Sequence, residues 1–144
     1  MATTKSEAGP AGGKGAPYLY PSVGLLLIRL MVGAVFIYHG WSKVNGGVPK
    51  FAEMLGKMNV PLPTASAWIS ALTEFVGGIL IAMGLFSRIA ALPMAFNMAV
   101  AVFMVHWKNG FSGQGGYEYP MALGVILLAL ALTGPGRIAV TRRL

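Results

Sequence analysis

Hydrophobic positions along the chain fall into four long runs separated by short breaks rich in glycine, proline or charge. The first runs from about Pro21 to Val44, is interrupted by one charge, Arg29, and is closed by Tyr38, Trp41 and Lys43. The second, about Ser66 to Phe86, holds only Glu74. The third, about Ile89 to Trp107, carries Pro93 in its first turn and Asn97 mid-way. The fourth, about Tyr119 to Thr133, stops at Gly134-Pro135-Gly136-Arg137. A helix needs roughly 20 residues to cross about 30 Å of hydrocarbon, so the first three runs are long enough and the fourth is marginal. The pattern predicts an all-α integral membrane protein, a four-transmembrane-helix bundle.

The long connection, Asn45 to Ala65, has a pattern of its own. Phe51, Met54, Leu55 and Met58 recur at helical spacing, with Lys50, Glu53 and Lys57 opposite. Pro49 suits a first helical position, and Asn59, Pro61 and Pro63 end the run. This predicts a short amphipathic helix at the membrane surface. It either packs on the bundle or covers a site. Residues 1–21 read as a flexible polar tail, residues 22–137 as the membrane domain, and residues 138–144 as a basic C-terminal tail.

Composition sharpens the picture. The 144 residues are 56% hydrophobic and 10% charged, which excludes an ordinary soluble enzyme. Net charge is +7, but the basic residues stand singly at the ends of apolar runs, so lipid contact explains them and nucleic acid does not. Four spans put Lys5, Lys14, Arg88, Arg137, Arg142 and Arg143 on one side, and Lys43, Lys50, Lys57 and Lys108 on the other. That bias predicts both termini in the cytoplasm of a bacterial-type inner membrane. No cysteine is present, which removes thiol and disulfide chemistry and covalent haem attachment. Redox chemistry then needs a bound cofactor, a diffusible quinone or another subunit.

Charges inside a bilayer are costly, so Arg29 and Glu74 demand an explanation. Their Cα atoms differ in depth by about 9 Å, a gap two extended side chains nearly close. Arg29, Gly33, Phe36, Gly40 and Lys43 share one stripe of the first helix, and Ser70, Glu74, Gly77 and Gly78 one stripe of the second. An Arg29–Glu74 ion pair that fixes helix register is the expectation. Alternatively, one of the two serves a proton or a ligand.

His39, His106 and Glu118 fall at the outer membrane level with Glu74 below them. His39, Glu74, His106 and Glu118 are therefore the candidates for ligand binding or proton exchange. A polar pocket for a quinone head group or small anion fits this set better than a metal: no Glu-x-x-His pair occurs, so the di-iron bundle signature fails. No metal and no tightly bound cofactor is expected, and no catalytic residue is assigned. Asn97 lies nine residues before His106, about half a turn out of phase on an α-helix, which sets the two on different walls. The chain shows neither an inverted repeat nor a helix broken at mid-depth, which argues against a transporter.

Four strings carry a resemblance. They are Arg29-Leu30-x-x-Gly33-x-x-Phe36-x-x-His39-Gly40-x-x-Lys43; Glu74-x-x-Gly77-Gly78 running to Gly84-Leu85-Phe86-x-Arg88; His106-Trp107 with Gly110-Phe111 and Gly116-Tyr117-Glu118-Tyr119-Pro120; and Gly134-Pro135-Gly136-Arg137. In this order and at these spacings they resemble the DoxX family of small four-helix membrane proteins, over about Gly24 to Arg137. The resemblance implies a membrane protein tied to oxidoreduction. Some relatives are subunits that pass electrons from reduced sulfur compounds to quinone, and others belong to complexes that handle oxidative or thiol stress. Two readings follow. One is a redox subunit that binds quinone or a similar ligand and works with protein partners. The other is a non-catalytic accessory subunit of a larger respiratory or photosynthetic assembly.

Overall fold

In the computed structural model, which describes residues 19–141, the first apolar run is one helix of 24 residues, α1 (Leu19–Ser42). At 1.5 Å per residue it is about 36 Å long, enough to cross a bilayer. It passes into a π-helical turn, Lys43–Gly47, which kinks at Asn45 and Gly46. The chain then enters α2 (Val48–Lys57), with a proline in its first turn as the sequence predicts. Next come α3 (Pro63–Met83), α4 (Ser87–Val100) and α5 (Glu118–Thr133). Beyond Val100, α4 continues through a π-helical stretch, Ala101–His106, and a 3₁₀ turn, Trp107–Asn109. Among the described residues every regular element is helical. Three continuous helices are long and apolar enough to span a membrane, the third being Ser87–Asn109. The 16 residues of α5 amount to about 24 Å and fall short of the hydrocarbon thickness by themselves.

α3 is the centre of the bundle and packs against α1, α2 and α4, while α5 packs on α4. Small residues make the α1–α3 crossing close, because helices without side-chain bulk can bring their backbones together. A Cβ on Gly40 would lie 2.4 Å from the Phe75 nitrogen, and one on Gly33 would lie 2.7 Å from the Ala82 Cβ. The main core lies toward the C-terminal ends of α3 and α5. Phe36, Ile81, Met94, Leu127 and Leu130 are all but fully buried there. A second cluster seats α2 on α3 through Val48, Ala52 and Leu55 against Ala67 and Ala71.

The end of the bundle where α3 and α5 finish is closed by the segment after α5. Gly134 and Gly136 both have φ +80°, a left-handed conformation that glycine adopts without a Cβ clash and that turns the chain back under the bundle. The Val140 amide donates to the Met83 carbonyl (3.3 Å) and the Thr141 amide to the Gly84 carbonyl (3.2 Å). Residues 138–141 are therefore fastened to the α3–α4 turn. The rest of the expected basic tail, and the expected N-terminal tail up to residue 18, lie outside the described residues.

Arg29 belongs to this end of the molecule and does not form the expected pair with Glu74, which is held by Lys43. The Arg29 side chain is 1% exposed and donates to the carbonyls of Pro135 and Ala82. Ala82 lies eight residues along α3 from Glu74, about 12 Å away in depth. The guanidinium sits where α3 and α5 end, among carbonyls that no helical turn satisfies and at the negative ends of two helix dipoles. Those carbonyls replace the carboxylate that the sequence suggested.

Candidate functional site

The half of the bundle away from Arg29 holds a cavity of about 920 Å³ bounded by α1, α3, the extended α4 and α5, with α2 and the segment after it forming a roof. All four candidates, His39, Glu74, His106 and Glu118, line it. They do not converge on one point. Glu74 lies deep and buried, whereas His39 and Glu118 are exposed at the rim and His106 is half-buried. Among the described residues no three His, Cys, Asp or Glu side chains come close enough together to hold a metal ion.

The deep end is a hydrogen-bonded network. Lys43 Nζ reaches both carboxylate oxygens of Glu74 at 2.7 Å. Asn97 Nδ2 donates to Ser70 Oγ at 2.9 Å and approaches Glu74 Oε1 at 3.5 Å. The Lys43 ammonium also stands 4.5 Å from the centre of the Phe51 ring, so it joins α3 to the roof helix by a cation–π contact. Lys43 continues the α1 stripe that faces α3 and stands at the start of the kinked turn Lys43–Gly47, where it lines the cavity. The Lys43–Glu74 pair is electrically neutral as a unit. This explains how a carboxylate 5% exposed is held inside an apolar bundle.

Asn97 and His106 line the same cavity, contrary to the half-turn offset read from the sequence. The reason is the π-helical stretch Ala101–His106, whose wider turns rotate each residue by less than the roughly 100° of an α-helix. The accumulated lag brings His106 round to the Asn97 side. His106 Nδ1 is 2.7 Å from the Gly115 carbonyl, which can only accept, so the Nδ1–H donates. In the neutral ring Nε2 then carries the lone pair. The Asn109 amide donates to the same carbonyl at 2.9 Å. The loop is closed further by the Tyr117 amide on Gly110 and by the Tyr117 ring stacked on Trp107, with centroids 5.1 Å apart. It delivers Glu118 to the cavity rim at the first turn of α5. The His39 and Tyr119 rings lie 6.4 Å apart across the α1–α5 side of the opening.

Sequence reasoning missed Lys43, Ser70 and Asn97 as members of the site. A signal for Lys43 was present, since it continues the α1 stripe of Arg29, Gly33, Phe36 and Gly40 that faces α3. Most of the rest of the wall is apolar and includes Phe36, Leu55, Phe96, Met104 and Leu123, with Ser66 and Thr73 among the exceptions. The arrangement suits a ligand with a small polar head and an apolar body.

The DoxX family model matches residues 24–107, more than half of the chain and the part that carries Arg29, His39, Lys43, Glu74, Asn97 and His106. The chain belongs to the DoxX family. Among curated proteins, this DoxX-family chain is 34% identical over 110 residues to a Bacillus subtilis protein named "Putative oxidoreductase CatD", covering 75% of this chain and 78% of that one. It is 32% identical over 126 residues to the inner membrane protein YqjF of Escherichia coli, covering 85% and 92% respectively. An uncharacterized membrane protein of Mycobacterium tuberculosis is 32% identical over 142 residues, covering 86% and 82%. No solved structure matches. With its apolar spanning helices and inner-membrane relatives, the protein is a multi-pass membrane protein in contact with the lipid bilayer.

Proposed function

We propose that this DoxX-family protein is a membrane subunit associated with oxidoreduction, whose outer cavity takes the head group of a quinone or a similar small ligand. The observation that carries the reading is a single cavity in which a buried network, Lys43–Glu74–Asn97–Ser70, meets a rim of His39, His106 and Glu118 under otherwise apolar walls. Its volume, about 920 Å³, lies in the range of small-molecule sites. A quinone presents two carbonyl oxygens, and the Lys43 ammonium and the Asn97 amide offer donors to them. Reduction of quinone to quinol takes up two electrons and two protons. Histidine and carboxylate side chains at the rim exchange the protons with the outer aqueous phase. The electrons come from the redox centre of a protein partner, since this chain has no cysteine to supply thiol chemistry. The name of the Bacillus subtilis relative agrees with an oxidoreductase setting.

Four spans with both termini in the cytoplasm complete the proposal. α5 spans by including the ordered loop ahead of it, and six basic residues against four support the orientation. The quinone exchanges with the membrane pool and is not tightly bound. The test is purification in mild detergent, followed by an absorption spectrum and a lipid extract of the same sample. Quinone enriched over the bulk membrane supports the reading. An extract without quinone, together with no affinity for added quinone, rejects it and leaves an accessory structural subunit in its place.

A further inference from the structure

We infer that the outer part of the seam between α3 and α4 is a lateral portal that holds the apolar tail of the ligand, whose head lies on the Lys43–Glu74–Asn97 network. This rests on the reading of the cavity as a quinone-type site and adds how the ligand enters and what its tail must be. α3 and α4 are tightly apposed further in, where a Cβ on Gly77 would lie 2.5 Å from Met94 Sδ. Further out, at Ser70, the contact is carried by the Asn97 side chain. Beyond that bridge the two helices line the cavity between them.

Two seam residues are more exposed than the large hydrophobic residues of the other cavity walls, Met54 and Tyr119 included. Ile69 and Phe96 line the cavity and yet are 66% and 70% exposed on the bundle surface, and Met104 does the same at 45%. A side chain that faces both a cavity and the outside marks an opening. The opening lies at hydrocarbon depth. Ile69 is six residues, about 9 Å, below the start of α3, and Phe96 is ten residues, about 15 Å, inward of His106. At that depth the exposed face of the bundle meets acyl chains. The buried polar network stands behind the seam, so a ligand entering here passes its head between the helices and leaves its tail in contact with Ile69 and Phe96. The occupant is an amphiphile with a long alkyl or isoprenoid chain. A water-soluble ligand would use the rim at His39 and Glu118 instead.

The experiment uses the full chain in lipid nanodiscs and two photolabels. One is a benzoquinone bearing a decyl chain that ends in a diazirine, and the other is a fatty acid with the same chain and diazirine. Labelling that the matching unlabelled compound competes away is mapped by mass spectrometry. Competable labelling by the quinone probe in the peptides spanning Ile69–Thr73 and Phe96–Met104 supports the portal. Ile69→Trp, or Val100→Trp as a second variant, should cut it about tenfold, the equivalent of roughly two buried methylenes. Ile89→Trp, at a lipid-exposed position outside the cavity, should leave it unchanged. Competable seam labelling by the fatty acid alone keeps the portal and rejects the quinone head. Competable quinone labelling confined to other walls, such as Met54 and Pro61, keeps the quinone site and overturns the portal. Failure of both probes to give competable labelling overturns the portal as well.

Discussion

Replacing Lys43 by methionine should cost more stability than replacing Glu74 by glutamine, and combining the two should recover most of the difference. The asymmetry comes from burial. Glu74 is 5% exposed and Lys43 22%, although they share the same two 2.7 Å contacts. Lys43→Met strands a carboxylate whose other neighbour is a neutral amide at 3.5 Å, and breaking a buried pair in this way costs about 3–5 kcal/mol. Glu74→Gln keeps the volume and leaves an ammonium at the end of α1 that can swing toward the interface, so the loss is about 1–2 kcal/mol. In Lys43→Met/Glu74→Gln no charge remains, and the loss should be no larger than that of Glu74→Gln alone. The assay is unfolding by a denaturing detergent titrated against a mild one, followed by helical circular dichroism, for the wild type and three variants. Coupling of about 2 kcal/mol or more is expected, well above the roughly 0.3–0.5 kcal/mol scatter of independent sites. Losses that add within that scatter, or a Lys43→Met loss smaller than that of Glu74→Gln, would refute the pair.

Two further predictions concern the frame around the site. Gly33→Ala and Gly40→Ala should each destabilise by about 1–3 kcal/mol, because the added methyl meets backbone or Cβ atoms of α3 at under 3 Å. Gly24→Ala, where nothing lies within 4 Å, should instead raise helix stability by roughly 0.5–1 kcal/mol, and the same unfolding assay ranks the three. Arg29→Met should leave the carbonyls at the ends of α3 and α5 unsatisfied, costing about 1–3 kcal/mol for each. Limited proteolysis reads the consequence: cleavage after Gly134 should accelerate, and unchanged cleavage would show that Arg29 does not hold the C-terminal segment.

Much of this architecture was legible in residue patterns. The runs around Arg29 and Glu74, the amphipathic stretch from Pro49 to Met58, and the gathering of His39, Glu74, His106 and Glu118 at one end all follow from periodicity and length. The pairing of charges did not, because it depends on where helices end. The two terminal nitrogens of Arg29 donate to carbonyls, and any residue type supplies a carbonyl, so Pro135 and Ala82 leave no mark in the sequence. His106 reaches the Asn97 wall through a π-helical stretch. That depends on a local change in hydrogen-bond register, which an assumption of uniform α-helix hides. The return of Val140 and Thr141 to the α3–α4 turn is a non-local backbone contact and was equally invisible.

Equilibrium binding of decyl-benzoquinone to the purified full-length chain, compared with Lys43→Met/Glu74→Gln, decides whether the cavity is a quinone site. That variant removes the network's charges while keeping the helices and the cavity volume. The wild type should bind saturably, and binding should weaken about tenfold or more in the double variant through loss of a charged donor. Binding of equal strength by both proteins, or no saturable binding by the wild type, would contradict the quinone site.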